Sequence, residues 1–261
     1  MSKFSKIAFT ACAWAVIAVP GQAADLPRYE PVPIPPAIMG GWYLRGDIGY
    51  SNQQVDELDN VLYDTAESVD NQYKDFDGAP IFSAGIGYRV NKWFRADITG
   101  EYRSKADFSG ADLVDSGAGG PFGITPNTYD GKKSEWLALA NAYVDVGSWR
   151  GISPYIGAGV GAVNVEISGF SDIGVGSTGA PAIAFGEDHD EWNFAWALYA
   201  GVGFEVTPAM TIDVGYRYLD LGDAESGNLI AYDGTDNVDN PMEFKDLTSH
   251  DIRVGVRYEF N

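Results

Sequence analysis

The sequence predicts an all-β protein, namely an eight-stranded antiparallel up-and-down transmembrane β-barrel with four long extracellular loops. Three observations predict this fold: eight segments alternate with a period of two, their connections alternate between short and long, and their polar faces are rich in arginine. Successive side chains of a strand point to opposite faces, so a period of two indicates a strand. The stretch WNFAWALYAGVGFEV, from Trp192 to Val206, has large apolar residues at nearly every second position.

The N-terminal region is expected to precede the barrel. Two lysines stand before an apolar run that ends at a Pro-Gly pair, a pattern typical of a secretory signal peptide over residues 1–23. Cleavage is expected after Ala23, with cleavage after Ala24 as the alternative. Residues 24–40 contain five prolines and are predicted to form an extended periplasmic linker. The barrel is then predicted to occupy residues 41–261.

The composition excludes several classes of protein. A formal net charge of -20 repels nucleic acid, so no nucleic-acid partner is expected. Aromatic content of 13% and hydrophobic content of 45% exclude a disordered chain. Beyond the signal segment there is no apolar run of about 18 residues, so no transmembrane helix is predicted. Cys12, the only cysteine, lies in that segment, and the exported chain is therefore predicted to lack thiol chemistry.

The eight predicted strands follow one another along the chain. In the first, large apolar residues such as Leu44 and Ile48 alternate with Arg45 and Asp47. The fourth alternates less cleanly, because its leucines share a face with polar residues. In the fifth, one face consists of glycines, which are expected to leave space for large side chains inside the barrel. The strands are WYLRGDIGY (42–50), IFSAGIGYRV (81–90), WFRADITGEYR (93–103), EWLALANAYVDV (135–146), PYIGAGVGAVNV (154–165), WNFAWALYAGVGFEV (192–206), MTIDVGYRYL (210–219) and HDIRVGVRYEF (250–260).

The connections alternate in length. Those at 91–92, 147–153 and 207–209 are short, and four others are long. Long loops that all lie at one end of a meander are typical of a transmembrane barrel and uncommon in compact soluble domains. Residues 51–79, 104–132, 166–190 and 220–247 carry 25 of the 37 acidic residues. These loops are expected to repel anions and to bind divalent cations weakly.

The polar faces of the strands favour an enclosed interior. They contain seven of the nine arginines together with eight acids and no lysine, a composition suited to fixed ion pairs away from bulk water. The alternative is a soluble sandwich or a lipocalin-like barrel, in which the charged face meets water. The predicted lumen charge network consists of Arg45, Asp47, Arg89, Arg95, Asp97, Glu101, Arg103, Asp145, Glu205, Asp213, Arg217, Asp251, Arg253, Arg257 and Glu259.

Aromatic residues are concentrated at both ends of the apolar faces. Two such girdles, separated by about nine residues, match tilted strands that cross a bilayer. Together with a signal peptide, they predict an outer-membrane location with lipid and lipopolysaccharide as partners. The predicted interface aromatics are Trp42, Tyr50, Phe82, Tyr88, Phe94, Tyr102, Trp136, Trp192, Phe194, Phe204, Tyr218, Tyr258 and Phe260.

Several motifs resemble one known group of proteins. GWYLRGDIGY, NAYVDVG, PYIGAGVG, GYRYLDLG and the terminal HDIRVGVRYEF, together with ADLP and its proline-rich lead, span residues 24–261. The chain resembles the small outer-membrane β-barrels of the opacity-protein and OmpA/OmpX-like porin superfamily, in its alphaproteobacterial surface-antigen branch. The resemblance implies export and insertion by the barrel-assembly machinery, which reads a C-terminal aromatic. Here Phe260 is followed by Asn261.

No catalytic constellation, cofactor site or metal site is predicted. Arg45-Gly46-Asp47 resembles an integrin-binding motif, but its charged residues are expected inside the barrel. Ser249 and His250 are adjacent on a strand and face opposite ways, so they cannot act as nucleophile and base. The sequence favours a structural and surface role in the cell envelope, with the lumen closed by Arg–carboxylate pairs. The alternatives are a narrow porin-like channel and, less favoured, an outer-membrane lipid hydrolase.

Overall fold

A computed structural model describes residues 40–260 with the exception of 118, 121–122, 177 and 236–238. The predicted signal peptide, Cys12 and all but the last residue of the predicted linker lie outside the described residues. Those assignments therefore stay predictions. In the part of the chain that is described, there is no helix with the length and apolar character needed to cross a membrane.

The described residues form twelve β-strands and one short 3-10 helix at Val61–Thr65. The strands are β1 (Gly41–Gln54), β2 (Glu57–Asp59), β3 (Ser68–Phe76), β4 (Ala79–Arg89), β5 (Phe94–Asp115), β6 (Ile124–Asp145), β7 (Ile152–Val175), β8 (Pro181–Gly186), β9 (His189–Thr207), β10 (Met210–Glu225), β11 (Leu229–Ala231) and β12 (Glu243–Glu259).

Eight of these strands close a ring. Each pairs antiparallel with its neighbours in the order β1, β4, β5, β6, β7, β9, β10 and β12. The last strand returns to the first, with Tyr258 opposite Leu44. The remaining four strands are short additions, among which β2 pairs with β12 and β3 with β5. The prediction of an eight-stranded antiparallel barrel is confirmed.

The ring strands are longer than the sequence analysis predicted. Strands β5 and β6 each have 22 residues and β7 has 24, so they continue far into segments expected to be loops. Backbone pairing between β5 and β6 runs without a break in strand structure as far as Asp115 and Ile124. Much of each long connection is therefore ordered β-structure that extends the barrel.

In the membrane half of the barrel, the apolar side chains point outward. On β9, Phe194 and Leu198 are exposed whereas Ala195, Ala197 and Tyr199 are buried, as the alternation of the sequence predicts. A side chain at Gly157 would overlap the ring of Tyr143 inside the barrel. Small inward residues therefore give the large interior side chains their space.

In the outer half, beyond the outer aromatic girdle, this pattern reverses. A β-bulge between Arg103 and Ala106 shifts the phase of β5, so that Ala106 and Phe108 point inward. A similar irregularity in β7 brings Phe170 inward. Because the exterior of this half meets water, its apolar side chains are buried inside. We call this cluster the outer core; its members include Leu58, Phe76, Ala106, Phe108, Tyr129, Phe170, Leu221, Met242 and Phe244.

Candidate functional site in the barrel interior

The centre of the barrel interior is an ionic network around two arginines. Arg103 lies 2.8 Å from Glu135 and 3.0 Å from Asp251. Arg217 donates to Glu101 at 2.9 Å and to Asp251 at 2.8 Å. Arg103 and Asp251 join β5 to β12, and Arg217 and Glu101 join β10 to β5, which are not neighbours in the ring. The other two pairs join neighbouring strands. The pairs between non-neighbouring strands therefore span the lumen.

A second group of contacts surrounds Arg45. Its guanidinium lies 2.7 Å from Asp47 and 2.9 Å from Asp97. It also donates to the hydroxyl of Tyr143 at 2.9 Å. Asn141 donates to Asp97 at 2.8 Å and thereby extends the network. Because Arg45 and Asp47 are buried and bound to each other, the Arg-Gly-Asp motif faces the interior and does not present an adhesive loop.

The third group lies at the short-turn end. Asp145 is shared by Arg89 at 3.2 Å and by Arg95 at 3.3 Å. Arg89 also forms an ion pair with Glu259 of β12. The guanidinium of Arg95 lies over the rings of Tyr143, 4.1 Å away, and Tyr155, 4.7 Å away. This end is therefore held by both ionic and cation–π contacts.

Fourteen of the fifteen charged residues predicted for the lumen take part in these ion pairs. Glu205 does not: it is exposed, and the described residues offer it no ion pair. The prediction that Glu205 belongs to the lumen network is therefore wrong. Glu205 stands near the end of β9, beside the turn at 207–209, where its side chain reaches water at the rim.

The sequence analysis missed two charged interior residues on β6. Lys133 is 0% exposed and lies 2.7 Å from Glu135. Its ammonium also lies 4.5 Å from the ring centroid of Phe76, at the boundary between the ionic network and the outer core. Glu135 already began the fourth predicted strand, in phase with Leu137 but not assigned to the lumen, and extending that strand backwards to residue 133 would have found Lys133. With this pair, seven arginines and one lysine oppose eight carboxylates in the interior.

The predicted interface aromatics lie on the outside of the ring. Eleven of the thirteen are exposed. Tyr102 and Tyr218 are half-buried because they pack against Trp136 and Trp196, with ring centroids 4.7 Å and 5.4 Å apart. Trp93 and Trp149 at the short-turn end are exposed as well and were not predicted. Their assignment to a bilayer interface stays a prediction.

A polar cluster in the outer half ties the 3-10 helix to β5 and β6. Asp112 accepts hydrogen bonds from the hydroxyls of Tyr63 at 2.6 Å and Tyr129 at 2.7 Å, and from Asn127 at 3.0 Å. Burial, followed by the charge of Asp112, raises the pKa of Asp172 to about 7. Burial also raises the pKa of both tyrosines well above the usual value. This half is therefore sensitive to the protonation of Asp172.

The residues considered for catalysis or metal binding do not converge. Ser249 is buried and accepts from Arg103 at 2.6 Å, whereas His250 lies on the outer face next to the Tyr216 hydroxyl. His189 faces Glu225 at 3.3 Å in the outer half. Within the described ranges, no three His, Asp or Glu side chains are grouped so as to hold a metal ion.

A closed antiparallel ring with apolar side chains outside and an ionic interior defines a transmembrane β-barrel. The sequence profile described as outer membrane protein beta-barrel domain matches residues 9–260 of the chain. The chain therefore belongs to this outer-membrane β-barrel family, and it is a protein of the outer membrane.

Individual proteins show the same similarity. An uncharacterized protein of Brucella melitensis is 34% identical, with 100% of each chain covered. A Rickettsia rickettsii protein named as a candidate adhesin is 27% identical over 84% of this chain and 87% of its own length. Among solved structures, the outer membrane protein OprG from Pseudomonas aeruginosa has a TM-score of 0.48 at 13% identity, covering 85% of this chain and 96% of that one.

Proposed function

We propose that this protein is a structural, surface-exposed component of the outer membrane with a closed lumen and no catalytic role. The observation that carries the proposal is the ionic network around Arg103 and Arg217, whose partners come from several strands across the interior. An eight-stranded barrel has an interior just wide enough for side chains to fill. Ion pairs at these distances support a lumen without a continuous aqueous path through the network.

The outer core supports a closed lumen independently. Phe76 and Phe108 have ring centroids 4.8 Å apart, and Phe244 lies 5.0 Å from Phe108. Phe170 closes the cluster, with its ring centroid 5.9 Å from that of Phe244. A solute entering from outside would have to displace these rings before it reached the charged residues. Two barriers of different chemistry therefore stand in series.

Single-channel recording in planar bilayers tests the closed lumen. We expect the purified protein to insert without sustained openings. A variant in which Arg103, Arg217 and Phe108 are replaced by serine provides the matched control, because it removes side chains from both barriers and should conduct if it folds. Sustained openings of the unmodified protein would overturn the proposal in favour of a narrow diffusion channel.

The absence of a catalytic role is tested separately. Ser249 and His250 are the residues that come nearest to a hydrolase pair, and they lie on opposite faces of β12. We expect no cleavage of lipid A or phospholipid by the purified protein in mixed micelles. Cleavage that disappears in Ser249→Ala but persists in Ser168→Ala would instead establish a lipid hydrolase.

A contact role at the cell surface is a second candidate. The outer half exposes Tyr232, Phe185 and Ile173 to water, with exposed fractions of 71%, 52% and 46%. Contiguous exposed apolar patches are typical of binding surfaces, and strand pairing makes Ile173 and Phe185 diagonal neighbours on β7 and β8. The Rickettsia rickettsii relative named as a candidate adhesin points in the same direction. Adhesion to host-cell monolayers by bacteria that produce the protein, reduced in Tyr232→Ser/Phe185→Ser, would support this candidate; unchanged adhesion would exclude these residues.

A further inference from the structure

The short-turn end of the barrel contains a cavity beside Arg257, whose guanidinium has donor atoms without a hydrogen-bond acceptor among the described residues. The cavity has a volume of about 240 Å³, and its walls include Arg257, Arg89 and Lys92. In outer-membrane barrels the short turns face the periplasm. We propose that this periplasmic mouth binds a small monovalent oxyanion of the carboxylate type, held by Arg257.

The guanidinium of Arg257 is the central observation. The residue is 2% exposed, and its Nη2 atom lies 3.5 Å from Asp213. Its Nε and Nη1 atoms meet no hydrogen-bond acceptor among the described residues. A buried charged donor without an acceptor is unfavourable by several kcal/mol in general, so such groups normally have a partner. Because Arg257 lines the cavity, that partner can enter from the periplasmic side.

Arg95 adds a second positive charge that acts on Arg257. It is 1% exposed and uses only Nε, which lies 3.3 Å from Asp145. Its Nη1 and Nη2 atoms have no acceptor among the residues that the structure describes. The rings of Tyr143 and Tyr155 hold this guanidinium, and its charge opposes that of Arg257. An oxyanion bound to Arg257 would reduce this repulsion and accept from the free donors of Arg257.

The surrounding acids limit the charge and size of the ligand. Asp213 and Asp145 lie beside the free donors, and Glu205 and Glu259 line the cavity. Four carboxylates near the site disfavour a dianion and a bulky polyanion. A carboxylate carries one negative charge and is flat enough to approach a guanidinium edge. The site is therefore matched to a small carboxylate, which is a binding role beyond the structural one.

Formate is a suitable probe, and NMR of the purified, arginine-labelled protein in nanodiscs can follow it. We expect saturable shifts of the arginine side-chain signals, and binding weaker by about tenfold or more in Arg257→Gln, because a charge-assisted hydrogen bond is lost. Arg150→Gln removes the same charge from an exposed residue outside the cavity and should bind as the unmodified protein does. Glu205→Gln should bind about twofold more tightly, because one repelling charge at the rim is removed.

A second measurement needs no variant. 3-Bromopropionate is a small monovalent carboxylate whose bromine scatters anomalously, and crystals grown with it should show an anomalous peak in the cavity with the carboxylate within hydrogen-bond distance of Arg257. The proposal is overturned if formate causes only unsaturable shifts, or if Arg257→Gln folds and binds as tightly as Arg150→Gln does. It is also overturned if ordered water alone occupies the position at saturating 3-bromopropionate.

Discussion

Arg217 stands directly opposite Asp251 across strands β10 and β12, and their side chains meet at 2.6 Å in the barrel interior. The same carboxylate also accepts from Arg103, on the other side of the lumen, at 3.0 Å. Asp251 thus joins the neighbouring-strand pair with Arg217 to a second contact, with Arg103, across the lumen. Both arginines and Asp251 are fully buried.

Removal of Arg217 tests the energetic importance of this network. In Arg217→Ala, Glu101 and Asp251 keep their negative charges but lose a partner, and breaking a buried pair in this way costs about 3–5 kcal/mol. We expect a loss of that size in the free energy of unfolding, measured by urea titration in lipid vesicles. Arg150→Ala, at an exposed position, should change it by less than about 0.5 kcal/mol. Equal unfolding midpoints for the two variants would contradict the prediction.

The outward face of β5 tests the contact with lipid. Ile98 is 64% exposed and lies midway between the aromatic girdles at Phe94 and Tyr102. An arginine on the lipid face near the bilayer midplane costs about 2–4 kcal/mol, so Ile98→Arg should destabilise the vesicle-inserted barrel by that amount. Ser109→Arg places the same side chain on an exposed position of the same strand in the outer half and should be nearly neutral. A similar effect of both substitutions on urea unfolding would argue against a lipid-facing Ile98.

The outer core should behave as a separate packing unit. Phe108 is buried against Phe76 and Phe244, and truncation of a buried phenylalanine costs about 3–5 kcal/mol. In Phe108→Ala we expect faster hydrogen exchange in the outer parts of β5 and β6, with protection of the membrane half unchanged. Tyr232→Ala, which removes an exposed ring, should leave exchange in these strands as it is. Loss of protection throughout the barrel would show that the two halves are not separable.

The pKa of Asp172 predicts a pH dependence of the outer half. Burial and the charge of Asp112 raise this pKa to about 7, from about 3.9 for an exposed aspartate. The folded state therefore holds the proton more tightly than the unfolded state. Protonated Asp172 therefore stabilises the folded state. This stabilisation is complete below about pH 4 and is lost as the pH rises through about 7.

Hydrogen exchange at pH 5.5 and pH 8, corrected for the intrinsic rate, checks this dependence. We expect weaker protection around Tyr63 and Tyr129 at pH 8 in the unmodified protein. Asp172→Asn cannot ionise and should show the same protection at both values. If Asp172→Asn retained the full pH dependence, another group in the outer half would be responsible.

The barrel strands were predictable from the sequence where one face of the strand points outward, and the other into the barrel, along the whole segment. On β9, Phe194 and Leu198 face outward while Ala195 and Ala197 face inward, and no contact with another strand is needed to infer this. Prediction failed at the bulge between Arg103 and Ala106. There the phase shifts by one residue and the apolar face changes from outside to inside, so the alternation no longer identifies a continuous strand.

The charged interior was predictable only as a list of residues. Strand alternation placed Arg45 and Asp47 on the inner face, but it could not pair Arg103 with Asp251, which are distant in the sequence. It also excluded Lys133, because the predicted strand began too late. Glu205 has the right phase on β9 but lies too near the rim, and only the position of the turn relative to the barrel mouth shows this.

The sequence by itself determined that the chain forms eight strands with an apolar and a charged face, because the alternation of side chains is a local property of the strand backbone. Only the tertiary structure decided which charges meet, that the long connections fold around an aromatic core, and that Arg95 and Arg257 keep free donors at one mouth. These relationships depend on which residues of distant strands reach the same position along the barrel axis when the ring closes. The alternation along a single strand carries no information about that position.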